Sequence, residues 1–277
     1  MRQDQLATVR ELVRQSGTRY ARLVAVASGK GGVGKTNVAI NLGIALVEMG
    51  KRVLLVDADQ SLANVDLLLG VTVASTSRDV LLGGMSMEQV IFRHESGLMV
   101  LPGSAGLAES SSPQPGPSRW LVEQLWPLRY QYDFLILDTA AGLTYDLVDL
   151  LTCADEVLVI STPEPTAIND AYALAKVLHR AHPAICLRLL LNMVESPEEA
   201  GEVWERFALV VRHFLKREIL CAGYVVGDWS VPQAVKRQRP LLLAFPEAAA
   251  SKCIRQLANT LLRDCPTAAG GDAACAI

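Results

Sequence analysis

Short runs of apolar residues recur along the chain, and many of them end at Asp, Asn, Ser or Pro. A continuous apolar run of this length is typical of a strand that is buried on both faces of a parallel sheet. The runs that we predict to be strands are residues 23–27, 52–57, 98–102, 134–138, 156–161, 187–192 and 222–226.

The stretches between these runs carry apolar residues at the three- and four-residue spacing of helices that pack on a sheet. The spacing predicts helices over residues 37–50, 78–82, 87–92, 163–178, 197–220, 232–238 and 248–263. Residues 103–118 are rich in Ser, Pro and Gly, so we expect a long surface loop there. Strands that alternate with helices predict an α/β fold with one doubly wound, mostly parallel sheet.

The alternating pattern spans residues 21–263, which we interpret as one domain. Residues 1–20 have the apolar spacing of a short helix that Asp4 would cap. A helix this short is marginal in water, so the segment would fray, pack on the domain or become ordered on a partner. Residues 264–277 contain Pro and Gly but no Lys or Arg, so we expect a disordered tail and not a basic membrane-binding helix.

A glycine-rich loop, SGKGGVGKT at residues 28–36, joins the first predicted strand to the first predicted helix. It fits the phosphate-loop pattern G-x-x-x-x-G-K-[ST] in the strand–loop–helix context of P-loop NTPases. Glycines let backbone N–H groups turn towards phosphates, and the helix start adds the positive end of its dipole. We expect Lys35 to reach the β- and γ-phosphates and the Thr36 hydroxyl to bind Mg²⁺. The loop residues that we expect to bind the nucleotide are Gly31, Gly32, Val33, Gly34, Lys35, Thr36 and Asn37.

Carboxylates stand at the ends of two other predicted strands. The second strand ends at Asp57, with Asp59 two residues later. Residues 134–138 are four apolar residues followed by Asp138, which is the Walker B pattern. The carboxyl ends of parallel strands are where α/β folds bind ligands. We therefore expect Asp138 to hold Mg²⁺ through water, next to the phosphates.

A second lysine in the loop, Lys30, gives it the pattern K-G-G-x-G-K-T, and with this pattern the chain resembles the MinD/ParA family of ATPases. In that family the first lysine crosses a face-to-face homodimer and touches the nucleotide of the other subunit. The resemblance implies a weak Mg²⁺-dependent ATPase that binds ATP and ADP, dimerises with ATP and works as a switch. It further implies that the catalytic residues are Lys30, Lys35 and Asp59, of which Asp59 orients the attacking water.

The same resemblance assigns residues around the phosphates. It implies that the adenine is contacted by Asn192, at the end of a predicted strand. It also implies that Asn64 and Asp66 belong to the first switch, which senses the γ-phosphate. It places Asp57 on the metal side of the site. Together with the two residues expected above from the motifs, the metal-side residues are Thr36, Asp57 and Asp138.

Within the MinD/ParA family, the chain is most similar to the FlhG group, also called FleN. The similarity rests on PEPTAINDAYA at residues 163–173 and DTAAG at residues 138–142. It implies control of flagellar number and placement, through an FlhF-like GTPase and a FleQ-like transcription factor. FlhG proteins can carry D-Q-A-x-x-L-R ahead of the domain, which stimulates the GTPase. Asp4, Gln5 and Arg10 keep its polar positions, whereas Leu6 and Val9 replace its Ala and Leu.

Composition limits the other classes of protein. The 277 residues are 51% hydrophobic and 20% charged, with a formal net charge of −3, which gives no global attraction to nucleic acid or anionic lipid. No apolar run approaches the ~20 residues of a membrane span, so we expect a cytoplasmic protein. The six cysteines form no C-x-x-C pair, which argues against a zinc site or an iron–sulfur reductase.

Two other functions within the MinD/ParA family stay open. A ParA-type partitioning ATPase would bind DNA through basic residues at 206–217 and 236–239, but acidic residues are interspersed at 202–218, so the sequence does not favour DNA. A MinD-type regulator of the division site would bind membrane. Because the tail lacks basic residues, the helix at 248–263 would have to detach for this purpose. Recruitment to the membrane or cell pole is therefore left open.

Overall fold

An eight-stranded sheet forms the centre of the computed structural model, which describes residues 20–59, 63–103 and 117–263. Within these residues the strand order is β3-β4-β2-β5-β1-β6-β7-β8, and neighbours are parallel except for the antiparallel pair β3–β4. The strands are β1 (Arg22–Ser28), β2 (Val53–Ala58), β3 (Phe92–Arg93), β4 (Met99–Leu101), β5 (Phe134–Ala141), β6 (Glu156–Ser161), β7 (Cys186–Val194) and β8 (Leu220–Val226). The predicted α/β fold with a mostly parallel sheet is confirmed.

Helices lie on both faces of this sheet. Their bounds are α1 (Lys35–Glu48), α2 (Val65–Leu69), α3 (Ser77–Leu81), α4 (Met87–Val90), α5 (Pro117–Leu125), α6 (Tyr145–Thr152), α7 (Pro165–Ala181), α8 (Pro197–Leu215), α9 (Ser230–Lys236), α10 (Leu241–Ala244) and α11 (Ala249–Arg263), with a 3₁₀ turn at Pro127–Tyr130. Within the described residues, none is long and apolar enough to cross a membrane.

Two apolar cores separate along alternate residues of each strand. In β1, Leu23 and Ala25 pack on one side with α5, α6, α7 and α8, whereas Val24 and Val26 pack on the other side with α1 and α11. Side chains of a strand point alternately to opposite faces, so a strand covered on both faces is apolar throughout. This explains why the central strands read as continuous apolar runs.

Several boundaries differ from the predictions. The helix predicted over 197–220 ends at Leu215, because Lys216 adopts a left-handed conformation with φ of 52° that stops it. The helix predicted over 87–92 ends at Val90, and Phe92 begins the short strand β3. Helix α5 begins at Pro117, inside the loop predicted over 103–118, and residues 104–116 lie outside the described residues.

The remaining predictions concern the two ends of the chain and the last helix. The predictions for residues 1–19 and 264–277 lie outside the described residues. Helix α11 is part of the core, since Ile254, Leu257 and Leu261 are buried against α1 and β8. Arg255 also forms a bidentate ion pair with Glu48, at 2.8 and 3.1 Å. Detachment of α11 would therefore expose apolar core.

Candidate nucleotide site

The phosphate loop lies between β1 and α1 and is shaped by glycines with positive φ. Gly32 has a φ of 82° and Gly34, which precedes the first residue of α1, has a φ of 90°. Only glycine adopts such values without strain. The loop thereby turns its backbone towards the start of α1, where the N–H groups of the first helical turn lack partners within the helix.

Asn192, at the end of β7, holds the loop from the side. Its Nδ2 donates a hydrogen bond to the Val33 carbonyl oxygen at 2.8 Å. A Cβ on Gly34 would lie 2.5 Å from the same Nδ2, so no side chain fits there. On the other side, a Cβ on Gly29 would lie 2.4 Å from the carbonyl oxygen of Asp170 in α7. The loop is therefore clamped by two neighbouring elements.

The other predicted loop residues lie around this clamp. Gly31 and Gly32 are exposed at the tip of the loop, whereas Val33 is buried. Lys35, the first residue of α1, is also buried. Asn37 is half-buried, and its side-chain oxygen accepts a hydrogen bond from Asn41 Nδ2 at 2.9 Å within the same helix. The tip is thus open to a ligand and the lysine is enclosed.

The two predicted metal carboxylates are neighbours in the sheet. In the pairing of β2 with β5, Asp57 and Asp138 are direct partners. Asp57 accepts hydrogen bonds from the backbone N–H groups of Asp59, at 3.1 Å, and Val65, at 3.3 Å. Thr36 forms a side-chain hydrogen bond with Asp138. The structure therefore brings Thr36, Asp57 and Asp138 together.

The electrostatics of this pair favour a bound cation. Burial, reinforced by the charge of Asp138, raises the pKa of Asp57 to about 8. Burial also raises the pKa of Asp138 to about 6, although the Thr36 hydrogen bond and the Lys35 charge act to lower it. The half-buried Asp59 adds negative charge near both carboxyls. A divalent cation would offset this repulsion.

The donor set fits Mg²⁺ in particular. The Asp138 Oδ1 atom is buried and has no hydrogen-bond partner among the described residues. Among the residues that the structure describes, we find no group of three or more His, Cys, Asp or Glu side chains that could hold a metal ion by itself. Mg²⁺ suits such a site, because it keeps several waters and binds through one or two carboxylates and the phosphates of a substrate.

Lys30 contacts a segment that the sequence did not connect to it. Its Nζ lies 3.0 Å from Glu164 Oε2 and 3.3 Å from Thr166 Oγ1, just before and at the start of α7. The side chains of Lys30 and Glu164 are 42% and 64% exposed, so the pair lies at the surface. The sequence identifies the PEPTA run only as a family signature, because its contact with the phosphate loop depends on the adjacency of β1 and β6 in the sheet.

The predicted first switch lies beside the carboxylates. Asn64 immediately precedes α2, and the Val65 N–H that contacts Asp57 is the first of that helix. Sequence reasoning missed Gly103, where a Cβ would lie 2.8 Å from Cγ of Asp57. The only sequence signal for this close approach was a glycine directly after a predicted strand. Taken together, the loop, lysine and carboxylates can hold a polyphosphate with a divalent cation.

Comparisons with known proteins find relatives over most of this chain. A family model described as an AAA domain matches residues 21–189. Antiactivator FleN of Pseudomonas aeruginosa is 38% identical over 248 residues, which cover 89% of this chain and 89% of FleN. Flagellum site-determining protein YlxH of Helicobacter pylori is 30% identical over 90% of this chain and 84% of YlxH. The septum site-determining protein MinD of Pyrococcus horikoshii, solved with Mg-ADP, superimposes with a TM-score of 0.72 at 28% identity, over 86% of this chain and 94% of MinD.

Proposed function

This chain belongs to the family of MinD-like ATPases that includes FleN and YlxH, and we propose that it is an ATP-dependent switch that controls flagellar number and placement. The observation that carries the proposal is the 38% identity to antiactivator FleN over 89% of both chains. YlxH is named as a flagellum site-determining protein, which supports the same process. The nucleotide is ATP or ADP with Mg²⁺, as in the P. horikoshii MinD complex with Mg-ADP.

Each residue of the site has a distinct role in this proposal. The buried ammonium group of Lys35 neutralises phosphate charge, and Asp59 orients the attacking water. Thr36, Asp57 and Asp138 hold Mg²⁺ in the proposed cycle. When bound, this ion neutralises charge on the transferred phosphoryl group. Because burial raises the pKa values of Asp57 and Asp138, binding of the metal also releases protons from the pair.

Lys30 couples hydrolysis to dimerisation in this account. Its ion pair with Glu164 is exposed on both sides, and such pairs contribute about 0–1 kcal/mol. Dimerisation can therefore break the pair at little cost and let Lys30 reach the nucleotide of a second copy. A cation supplied in this way by another subunit raises the rate of phosphoryl transfer by about 10³–10⁵-fold in other systems.

The variant Lys30→Ala tests the ATPase part of the proposal. We expect it to keep the thermal unfolding midpoint and the ADP affinity of the wild type, because Lys30 is exposed and lies away from the core. We expect its ATP hydrolysis to fall by about 10³-fold or more, since the cation supplied in trans is lost.

A matched control is Lys252→Ala, which also removes an exposed lysine that pairs with a glutamate, Glu247, at 3.6 Å. This control should hydrolyse ATP as the wild type does, at a rate per subunit that rises with protein concentration. Equal hydrolysis by Lys30→Ala and Lys252→Ala would refute the role of Lys30.

The partners that we propose are an FlhF-like GTPase and a FleQ-like transcription factor. Support for the GTPase comes from Asp4, Gln5 and Arg10, which lie outside the described residues. Support for a transcription factor comes from the description of the P. aeruginosa relative as an antiactivator. The two partners would link the nucleotide state to the placement and the number of flagella respectively.

GTP hydrolysis by an FlhF-like protein tests the first partner. We expect a peptide of residues 1–20 to stimulate this hydrolysis and the same peptide with Gln5→Ala to lose the stimulation, because Gln5 supplies one of the polar contacts. A peptide with Thr8→Ala, at a position that the motif does not specify, is the matched control. Absence of stimulation by the unmodified peptide would contradict this partner and leave the ATPase proposal intact.

The contacts of the basic residues do not support DNA binding. Arg206 pairs with Glu202 at 3.1 Å, and Arg212 pairs with Glu218 at 2.8 Å. Arg217 donates to the Pro183 carbonyl oxygen at 3.4 Å. Binding to nucleic acid requires Lys and Arg side chains that can neutralise phosphates and so release the counterions condensed on the nucleic acid. Glutamates already neutralise two of these arginines, so a ParA-type function is the weaker candidate.

A further inference from the structure

Helix α2, which includes part of the predicted first switch, connects the metal carboxylates to the turn between α9 and α10. At its beginning, the Val65 N–H donates a hydrogen bond to Asp57 Oδ2 at 3.3 Å. At its end, Gly70 adopts a left-handed conformation with a φ of 68°, and the next N–H groups donate to the carbonyl oxygens of Asp66 and Leu67. These bonds close the last turn of a helix of only five residues. The position of its end therefore affects the position of the Val65 N–H.

Gly70 lies against the backbone of Gln238, in the turn that joins α9 to α10. A Cβ on Gly70 would lie 2.4 Å from the Gln238 carbonyl oxygen, so only glycine fits this approach. Gln238 itself has a φ of 49°, in the left-handed region that non-glycine residues seldom adopt. Its N–H donates to the Val235 carbonyl oxygen at 2.9 Å, and the Arg239 N–H donates to that of Ala234 at 3.1 Å. These bonds fix the carbonyl oxygen that faces Gly70.

The same turn is also fixed to α1, the helix that follows the phosphate loop. In α10, which begins directly after the turn, the Leu242 N–H donates to Asn41 Oδ1 at 3.0 Å. The Asn41 side chain is buried, and its Nδ2 donates to the Asn37 carbonyl oxygen at 2.7 Å. Asn37 lies one residue after Thr36, at the start of α1. The turn therefore has a defined position relative to the residues that we propose to bind the phosphates.

A third segment, the turn between β3 and β4, encloses the end of α2. The imidazole of the buried His94 forms a hydrogen bond with the backbone of Leu69, the last residue of α2. The next residue, Glu95, pairs with Arg239 at 3.7 Å, so this turn contacts the Gln238 turn as well. The carboxyl end of α2 is thus held between two turns that also contact each other.

We propose that Gly70 is a positioning residue for the metal, because its contact with Gln238 holds α2 where the Val65 N–H meets Asp57. The inference rests on the proposed function, in which Asp57 is one of the residues that hold Mg²⁺. A hydrogen-bond partner of a metal ligand orients that ligand and so changes the affinity for the metal. The phosphate loop is clamped elsewhere, by Asn192 and α7. The contact at Gly70 therefore affects the binding of Mg²⁺ and not the binding of ADP without the metal.

Calorimetric titration of the full chain with ADP, in EDTA and at a series of Mg²⁺ concentrations, tests this role. We expect Gly70→Ala to weaken Mg²⁺ binding to the ADP complex by about 10–100-fold, the usual effect of losing a contact to a metal ligand. The added methyl group cannot fit against the Gln238 carbonyl oxygen, so α2 has to shift. We expect the ADP affinity in EDTA to match the wild type.

Gly83→Ala is the matched control for the backbone strain. Gly83 has a φ of 76°, close to the 68° of Gly70, but no atom of the described residues lies within 4 Å of the position of its Cβ. Alanine is therefore strained at both positions and meets a neighbour only at Gly70. We expect Gly83→Ala to keep the wild-type affinity for Mg²⁺. Equal losses of Mg²⁺ affinity in the two variants would overturn the role of Gly70, because strain alone would then explain them.

A second variant, Gly70→Asn, covers the case in which Gly70→Ala does not fold. Asparagine tolerates a left-handed conformation better than alanine does, yet its Cβ meets the same carbonyl oxygen. We expect the same loss of Mg²⁺ affinity. Wild-type Mg²⁺ affinity in Gly70→Asn would overturn the proposal, and so would an equal loss of ADP affinity in EDTA, because the effect would then concern the phosphate loop. A wild type whose ADP affinity does not respond to Mg²⁺ would overturn the metal site itself.

Discussion

At the scale of single residues, position 34 of the site is the one at which the structure restricts the type of residue most strongly. Gly34 combines a φ of 90° with an approach so close that a Cβ would lie 2.5 Å from Asn192 Nδ2. Glycine is therefore required at this position for two reasons, its backbone conformation and its lack of a side chain. The hydrogen bond from Asn192 to the Val33 carbonyl oxygen depends on the same approach.

The variant Gly34→Ala tests this reading. We expect it to lower the free energy of unfolding by about 1–3 kcal/mol, because alanine is strained at positive φ. We also expect it to abolish measurable ADP binding, since the displaced Asn192 no longer holds the loop. Denaturant unfolding and calorimetric titration with ADP measure the two effects.

Gly84→Ala is the matched control for a change of glycine to alanine. A Cβ at Gly84 would make an ordinary contact, 3.5 Å from the carbonyl oxygen of Asp79. We expect its free energy of unfolding to change by less than about 0.5 kcal/mol and its ADP affinity to match the wild type. Retained ADP binding by Gly34→Ala would show that the Asn192 contact is dispensable.

The pattern of glycines and lysine in the loop could be predicted from the sequence, but the partners of its side chains could not. The motif is local, because its chemistry depends on nine consecutive residues, 28–36. The contact of Lys30 with Glu164 spans 134 positions and arises because β1 and β6 are neighbours in the sheet. Met193, which follows Asn192 and has a φ of 61°, had no signal at all, since methionine at positive φ is not a preference that a sequence displays.

At the scale of secondary-structure elements, strand register brings together the two carboxylates that we propose to hold the metal ion. Asp57 and Asp138 are 81 positions apart in the sequence, and they face each other because β2 pairs with β5. Their burial at this pairing raises the pKa of both carboxyls, to about 8 for Asp57 and about 6 for Asp138. The register thus places two carboxyl groups where their charges would repel, and a bound divalent cation would relieve this repulsion.

The stability of the metal-free protein should therefore depend on pH in a defined direction. The pKa of Asp57 is about 8 in the folded state and 3.8 in the reference state, so between these values the folded chain holds a proton that the unfolded chain has lost. The free energy of unfolding consequently falls as pH rises through this window, by at most about 1.4 kcal/mol per pH unit for one proton. Asp57→Asn, which cannot ionise, should show a flatter dependence.

Denaturant unfolding at pH 5, 6, 7 and 8 without Mg²⁺ measures this effect. The stability of Asp57→Asn relative to the wild type should increase at each step, whereas Asp149→Asn, at an exposed position of α6, should keep a constant difference from the wild type. A constant difference for Asp57→Asn would mean that the pair is not protonated in the folded state.

Element types were easier to predict than their ends. Strands buried on both faces produce apolar runs that no other element explains as well, and all seven predicted strands are present. The helix predicted over 197–220 was too long, because residues 216–220 favour a helix by composition while the chain must turn at Lys216 to enter β8. Helix α6 was not predicted, although Thr144 caps it by accepting a hydrogen bond from the Leu147 N–H at 3.3 Å.

At the scale of the whole molecule, the residues that we propose to contact the phosphates are collected at the carboxyl edge of one sheet, around the loop after β1. The Lys30 side chain is exposed at this edge and is held by the surface ion pair with Glu164 and a hydrogen bond to Thr166. Helix α11 differs from Lys30 in its exposure, because its apolar side is buried in the core. We therefore propose that regulation occurs at the nucleotide edge and that α11 has a structural role in place of a membrane-binding one.

The central claim is that ATP converts the chain from a monomer to a dimer and that hydrolysis reverses this change. The measurement that tests it most directly is the molar mass in solution with Mg-ATP, by light scattering after size exclusion, for Asp59→Ala and Lys35→Ala. Asp59→Ala should bind ATP without hydrolysing it and elute as a stable dimer. Lys35→Ala should stay monomeric, because the phosphates are not held. Identical masses for the two variants would contradict the account.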